Sequence, residues 1–323
     1  MKLSSFIRYP LAILGALLLS QACFAQAWPS KSVRLIVPYN VGTANEVFSR
    51  VVAQKLAESW GQPVVVDAIP GAGGVVGTQV LAKAPADGYT LGWVSSPHAI
   101  NAAIYPSLSY DSVKDFRAIA NIANTPLVFV AGTGFLGNSI ADLIARAKVD
   151  ARELNFGSNG NGSASHLASG LLASMAGVRF AHIPYKATGQ MTVDLVAGRI
   201  DFAALGLASA LSLVRSGKLK ALGVTGGKRA PSMPDVPVVA ETVPGYEAKA
   251  WMGLVAPRGV SDAVVAKVEA AAVMVTHDKA VLSFMSAQGL EVEVLDSAQF
   301  ARRIESEIRT WRKVVAETGV KVD

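Results

Sequence analysis

The sequence predicts an α/β protein with two lobes. Three observations predict it. Residues 33 to 95 alternate strand, helix, strand, helix and strand, and the alternation resumes after about residue 126. No long Pro/Ser linker separates the two stretches, and no period of 20–50 residues repeats. Strands alternating with helices in this order imply parallel sheets with helices packed on them.

The elements follow in order. Lys2 and Arg8 flank the start of an apolar run, Leu11 to Leu19, which is followed by the small-residue site Ala25-Gln26-Ala27. That is the pattern of a cleaved secretory signal over residues 1–27, and the run is shorter than the ~20 residues a spanning helix needs. Cys23, the single cysteine, sits inside it and fits a lipoprotein site poorly, because Leu19 lies one place too far upstream. Val33 to Val37 is a strand stopped by Pro38. Residues 44–60 form a helix with Phe48, Val52, Leu56 and Trp60 at three- and four-residue steps, ended by Gly61. Pro63 to Asp67 is a strand. The Gly-rich turn Pro70 to Gly74 opens a helix running to about Lys83, and Tyr89 to Ser95 is a third strand. In the second stretch, strands are expected at 126–131, around Phe156, and at 179–183, 200–204 and 221–225. Helices are expected at 140–148 and 163–175. A strand near 251–256 precedes helices at about 261–275, 278–287 and 297–317, the last with Phe300, Ile304, Ile308 and Trp311 on one face.

Composition excludes several classes. An apolar share of 51% with 17% charged residues is far from a disordered chain. A single cysteine makes neither an internal disulfide nor a multi-cysteine zinc site. The net charge of +6 falls to +4 once the signal is removed, and no basic stripe with interleaved aromatics suggests nucleic acid. The four histidines are scattered, without metal spacing, and no G-x-S-x-G elbow is present. No catalytic residue, metal or cofactor is therefore expected.

Three loops suit a ligand site, because ligands of such folds sit at the carboxyl ends of parallel strands. In the first, Pro38 to Glu46, the N–H groups of Gly42, Thr43 and Ala44 face a helix start that favours an anion. Thr43-x-x-Glu46 is a capping box, which makes Glu46 a cap rather than a ligand contact. The second, Gly71 to Gly77, lacks dinucleotide spacing and reads either as a tight turn or as an anion loop. The third holds Ser158, Asn159, Gly160, Gly162 and Ser163; it reads either as an anion loop or as a flexible loop with an N-cap, and lacks the Lys of a P-loop. Tyr39, Ser95, Ser96, His98 and Tyr185 are expected to shape the rest of the pocket. His166 is expected to pack or cap.

Several short motifs occur in a fixed order. They include Arg34-Leu35-Ile36-Val37-Pro38-Tyr39, Pro70-Gly71-Ala72-Gly73-Gly74, Asp87-Gly88-Tyr89-Thr90-Leu91, His182-Ile183-Pro184-Tyr185-Lys186 and Trp251-x-Gly253-Leu254. Together they resemble the Bug-type substrate-binding proteins of tripartite tricarboxylate transporters, over nearly the whole mature chain. The resemblance implies a type II periplasmic-binding-protein-like fold with a two-strand hinge. It implies lobes of residues 28–127 with 252–323, and of 128–251. It further implies a periplasmic location, a small organic acid ligand and delivery to a two-component membrane permease. A membrane sensor kinase is an alternative partner, and an exported hydrolase a less supported alternative function. A monomer is expected. The family's first-loop pattern departs here at Val41, Thr43 and Glu46. Amino-acid-binding members carry an acid where this chain has Leu205, which favours a plain organic acid.

Overall fold

The computed structural model describes residues 28–160 and 163–318. The expected signal with Cys23, and Gly162, lie outside the described residues.

The first sheet begins with β1 (Val33–Val37), flanked by β2 (Val64–Ala68) and β3 (Thr90–Ser95), both parallel to it. Helices α1 (Ala44–Trp60) and α2 (Val75–Ala82) make the crossovers. Helix α1 buries Phe48, Val52 and Leu56, each fully, and that burial stabilises the fold by roughly 1.5–3 kcal/mol per side chain. It ends at Gly61, whose φ of 65° is left-handed and disfavours a side chain. A further helix, α3 (Pro97–Ile104), follows β3. Its apolar run is too short to declare a period; Pro97 at its first turn starts it.

Strand β4 (Phe116–Gly132) is the centre of the molecule. Only its second half reads as a strand in the sequence. Arg117, Asn121 and Asn124 interrupt the apolar pattern of the first half, yet Asn121 and Asn124 are buried and donate to Glu293. Residues 116–126 of β4 pair antiparallel with β9 (Lys249–Pro257), and β10 (Glu291–Leu295) pairs beside them. From Leu127 onward β4 pairs instead with β7 (Phe202–Gly206) and β8 (Leu219–Val224). One continuous strand thus serves both sheets.

The second sheet continues from β7 to β5 (Leu154–Ser158) and β6 (Phe180–Pro184), which run parallel. It carries α4 (Ile140–Val149), α5 (Ala164–Ala176), α6 (Thr188–Val196) and α7 (Leu207–Arg215). The full strand order is β2-β1-β3-β9-β4-β7-β5-β6, with β8 and β10 also on β4. Each lobe is parallel on its outer side and antiparallel where it meets β4.

The chain returns to the first sheet beside its own exit. Thr225 exchanges hydrogen bonds with Leu127, and Ala248 N–H donates to the Thr225 carbonyl. Two adjacent crossings therefore join the lobes. After β9 come α8 (Asp262–Val275), α9 (Lys279–Ala287) and α10 (Ser297–Thr318). Helix α10 packs Phe300, Ile304, Ile308 and Trp311 against α3, β4 and α5, sealing both sheets. A charge network closes the crossing from outside. Glu293 pairs with Lys249 and Arg303, and Arg303 also pairs with Glu307, which accepts the Trp251 indole N–H at 2.7 Å.

Candidate functional site

A cleft of about 470 Å³ opens where the two sheets meet. Four loop or helix starts contribute to it. The β1–α1 loop supplies Tyr39, Asn40, Thr43 and Asn45. The turn before α2 supplies Pro70 to Gly74. Helix α3 supplies Pro97, Asn101, Ile104 and Tyr105. Asn159 and Ser163 come from the second sheet. Each contribution follows the carboxyl end of a parallel strand or of β3, which is why the cleft forms there.

None of these lining residues is Lys, Arg, His, Asp or Glu. The polarity of the cleft comes from hydroxyls, amides and helix starts. Thr43 caps α1, its Oγ1 accepting from Glu46 N–H at 3.4 Å, and Ser163 caps α5, its Oγ accepting from His166 N–H at 3.2 Å. Helix starts carry a partial positive charge.

Tyr39 is the most constrained hydroxyl. Its oxygen accepts from Ser95 N–H at 2.9 Å and from Ser95 Oγ at 2.8 Å. Both bonds use oxygen lone pairs, so the phenolic proton stays available as a donor. Burial pushes the phenol up to about 12, and the proton is retained throughout the physiological range.

Of the residues expected at the site, Tyr39, Thr43, Asn159 and Ser163 line the cleft. Gly42 and Ala44 border it. The Gly42 N–H is occupied: it donates to Glu46 Oε2 at 3.0 Å, and Thr43 N–H donates to Asn40 at 3.2 Å. Glu46 therefore caps, as expected, although it reaches Gly42 rather than the N-cap amide. Its carboxylate is held below the usual range by the Gly42 N–H, even against burial, and it also pairs with Arg50. Ala44 and Asn45, first in the helix, keep N–H groups without a partner among the described residues.

Other expected residues do not line the cleft. Ser95 lies beneath Tyr39. Ser96 is buried and accepts from Trp251 N–H at 3.0 Å. His98 is a correction: it is 2% exposed, its ring stands edge-on to Phe116, and Nε2 meets the Ser112 carbonyl at 2.9 Å. Placed one residue inside α3, it faces the core, and burial lowers it to about 4. Ser158 is fully buried, its Oγ 2.6 Å from His182 Nε2. Gly160 takes a φ of 100° and donates its N–H to Ser158 Oγ at 3.2 Å. Tyr185 is another correction: it is buried among the core residues of the second lobe and donates its hydroxyl to Asp194 at 2.8 Å. Leu205 belongs to the same core and says nothing of ligand charge. His166 packs, as expected, its ring stacked 3.7 Å from that of His182.

Sequence reasoning missed Asn45, Asn101, Ile104 and Tyr105. Two of these lie on α3 and Tyr105 caps its end, and the pattern did not reveal that helix. The signal available was Ser96-Pro97 after a strand, a helix start with proline at its first position.

Comparison with known proteins adds an independent line. A family model described as the tripartite tricarboxylate transporter family receptor matches residues 48–320. Protein BugT of Bordetella pertussis is 35% identical over 301 residues, covering 92% of this chain and 92% of its own. The solved structure of R. palustris Rpa4515 with adipate is 32% identical with a TM-score of 0.76, covering 91% of this chain and 99% of that one. MatC (Rpa3494) from Rhodopseudomonas palustris, solved with bound malate, is 29% identical with a TM-score of 0.72, covering 89% of this chain and all of the other.

Proposed function

The chain belongs to the tripartite tricarboxylate transporter family of receptors, and from that premise we propose that it captures a small carboxylate between its lobes. One observation carries this reading. The cleft is free of charged side chains among its described lining residues, yet it gathers helix starts and hydroxyl donors from both sheets. Such a lining favours an anion of modest charge, which accepts hydrogen bonds from fixed dipoles. The volume, about 470 Å³, lies within the roughly 300–1,000 Å³ of small-molecule sites.

Tyr39, Asn45, Asn159 and Ser163 are the side chains assigned to the ligand; the Thr43 hydroxyl already donates to the Asn40 carbonyl at 2.8 Å. Bridging water completes the contacts to the ligand. The moving bodies are residues 28–127 with 252–323, and 128–251, turning about the two crossings beside Thr125 and Thr225. Closure is driven by contacts the ligand makes only in the closed state. The receptor acts in the periplasm after removal of residues 1–27 and delivers its cargo to a two-component permease.

Calorimetry against adipate, malate, tricarboxylates, aromatic acids and neutral sugars tests the reading. At least one acid binds and no sugar does. Failure of every acid to bind overturns it.

A further inference from the structure

We propose that the turn Pro70–Gly74 is the anchor for the ligand's carboxylate, and that Asn101 and Tyr105 are the residues that position it. The proposal deepens the carboxylate reading and rests on it. Its ground is the direction of the peptide groups within the cleft.

Four consecutive residues have positive φ: Gly71 at 137°, Ala72 at 45°, Gly73 at 63° and Gly74 at 99°. Ala72 is the only non-glycine with positive φ among the described residues. Such a conformation persists only when its surroundings hold it, and such positions cluster at ligand clamps. Here the holders are visible. Tyr105 Oη donates to the Ala72 carbonyl at 3.3 Å, which also accepts from Val75 N–H, and Asn101 Nδ2 donates to the Gly73 carbonyl at 3.1 Å. The Gly71 carbonyl accepts from Gly74 N–H at 2.9 Å and from Val76 N–H at 3.4 Å.

A planar trans peptide sets its C=O and N–H in opposite directions. With the Gly71 carbonyl drawn toward α2, the Ala72 N–H turns away from it. With the Ala72 carbonyl held by Val75 N–H and by Tyr105, the Gly73 N–H turns away from both. These two N–H groups have no partner among the described residues, and both residues are exposed on the cleft wall. Two adjacent unpaired amides in a cavity make a concavity for an oxygen anion. The β1–α1 loop has used its Gly42 and Thr43 amides internally and keeps those of Ala44 and Asn45 at its helix start, which makes these two the rival anchor. The carboxylate sits on the Ala72 and Gly73 amides, with Tyr39 as a neighbouring donor.

The test is amide NMR of the full mature chain titrated with adipate, with malate and benzoate in parallel, beside calorimetry on the same samples. The expected result is a downfield shift of the Ala72 and Gly73 amide protons, with Gly42 and Thr43 little changed. Tyr105→Phe and Asn101→Ala lose about tenfold in affinity and lose the Ala72 and Gly73 response, while the melting temperature stays within a few degrees of the parent. Asn101→Gln restores part of both. An acid that binds by calorimetry while shifting Ala44 and Asn45 but not Ala72 and Gly73 overturns this inference and leaves the carboxylate reading standing. If none of the acids on the full calorimetric panel binds, the carboxylate reading falls and this inference with it.

Discussion

Replacing Tyr39 by Phe separates two jobs of one hydroxyl. The Tyr39 oxygen is the acceptor for both Ser95 N–H and Ser95 Oγ, and Ser95 is only 2% exposed. Removing it strands a buried backbone donor, which costs about 1–3 kcal/mol. The Ser95 hydroxyl can rotate and contributes less. A loss of roughly 2 kcal/mol follows, and at about 2–4 °C per kcal/mol for larger domains the melting temperature falls by about 4–8 °C. The ligand is affected separately. A hydrogen bond to a charged group contributes about 1.5–3 kcal/mol, so loss of the phenolic proton weakens carboxylate binding by roughly 10- to 150-fold. Thermal unfolding reads the first quantity and calorimetry the second. Ser95→Ala is the control, because it removes one donor to Tyr39 and leaves the phenolic proton in place; its affinity changes little. An unchanged affinity in Tyr39→Phe beside the expected drop in melting temperature would refute the phenol's role as ligand donor. An unchanged melting temperature would refute the hydrogen-bond geometry itself.

Two further outcomes bear on the frame. His98 is lowered to about 4 by burial, so the unfolded chain, titrating near 6.5, binds more protons between these values. Stability from this group is complete above pH 6.5 and is lost as pH falls toward 4, amounting to roughly 3 kcal/mol. His98→Gln keeps a donor for Ser112, and its urea stability falls less steeply over that window; curves of equal slope for parent and variant would count against it. Arg303→Ala removes the cation shared by Glu293 and Glu307. Breaking this partly exposed network costs about 1.5–3 kcal/mol, and Lys249, still beside Glu293, holds the loss to the lower end. A loss under about 1 kcal/mol, read from the urea midpoint, would show that water already shares these charges.

The site was legible in part. Tyr39 and Thr43 stand out because a strand stopped by proline leads into a capped helix. Asn159 and Ser163 stand out because a small-residue run precedes another. Those are local patterns, and local chemistry sets them. His98 and Tyr185 were misread for one reason: both are polar tips on short elements, and the direction of a side chain depends on packing partners distant in sequence. Phe116 and Ser112 claim His98, and Asp194 claims Tyr185. Asn101 and Tyr105 were missed because α3 is two turns long, too short for its period to show.

The sequence by itself determined the alternation of strands and helices, the capped helix starts and the apolar faces, because each depends on neighbours within a few residues. Tertiary structure alone decided that β4 runs through both sheets and that Asn121 and Asn124 tolerate burial because Glu293 meets them. It also decided that the turn at Gly71–Gly74 lines a cleft, with two of its carbonyls met by Tyr105 and Asn101. The physical reason is the same in each case. Hydrogen bonds donated by Tyr105 and Asn101, and accepted by Glu293, fix the direction of groups that are 28 to 172 residues away, and no local propensity encodes that pairing.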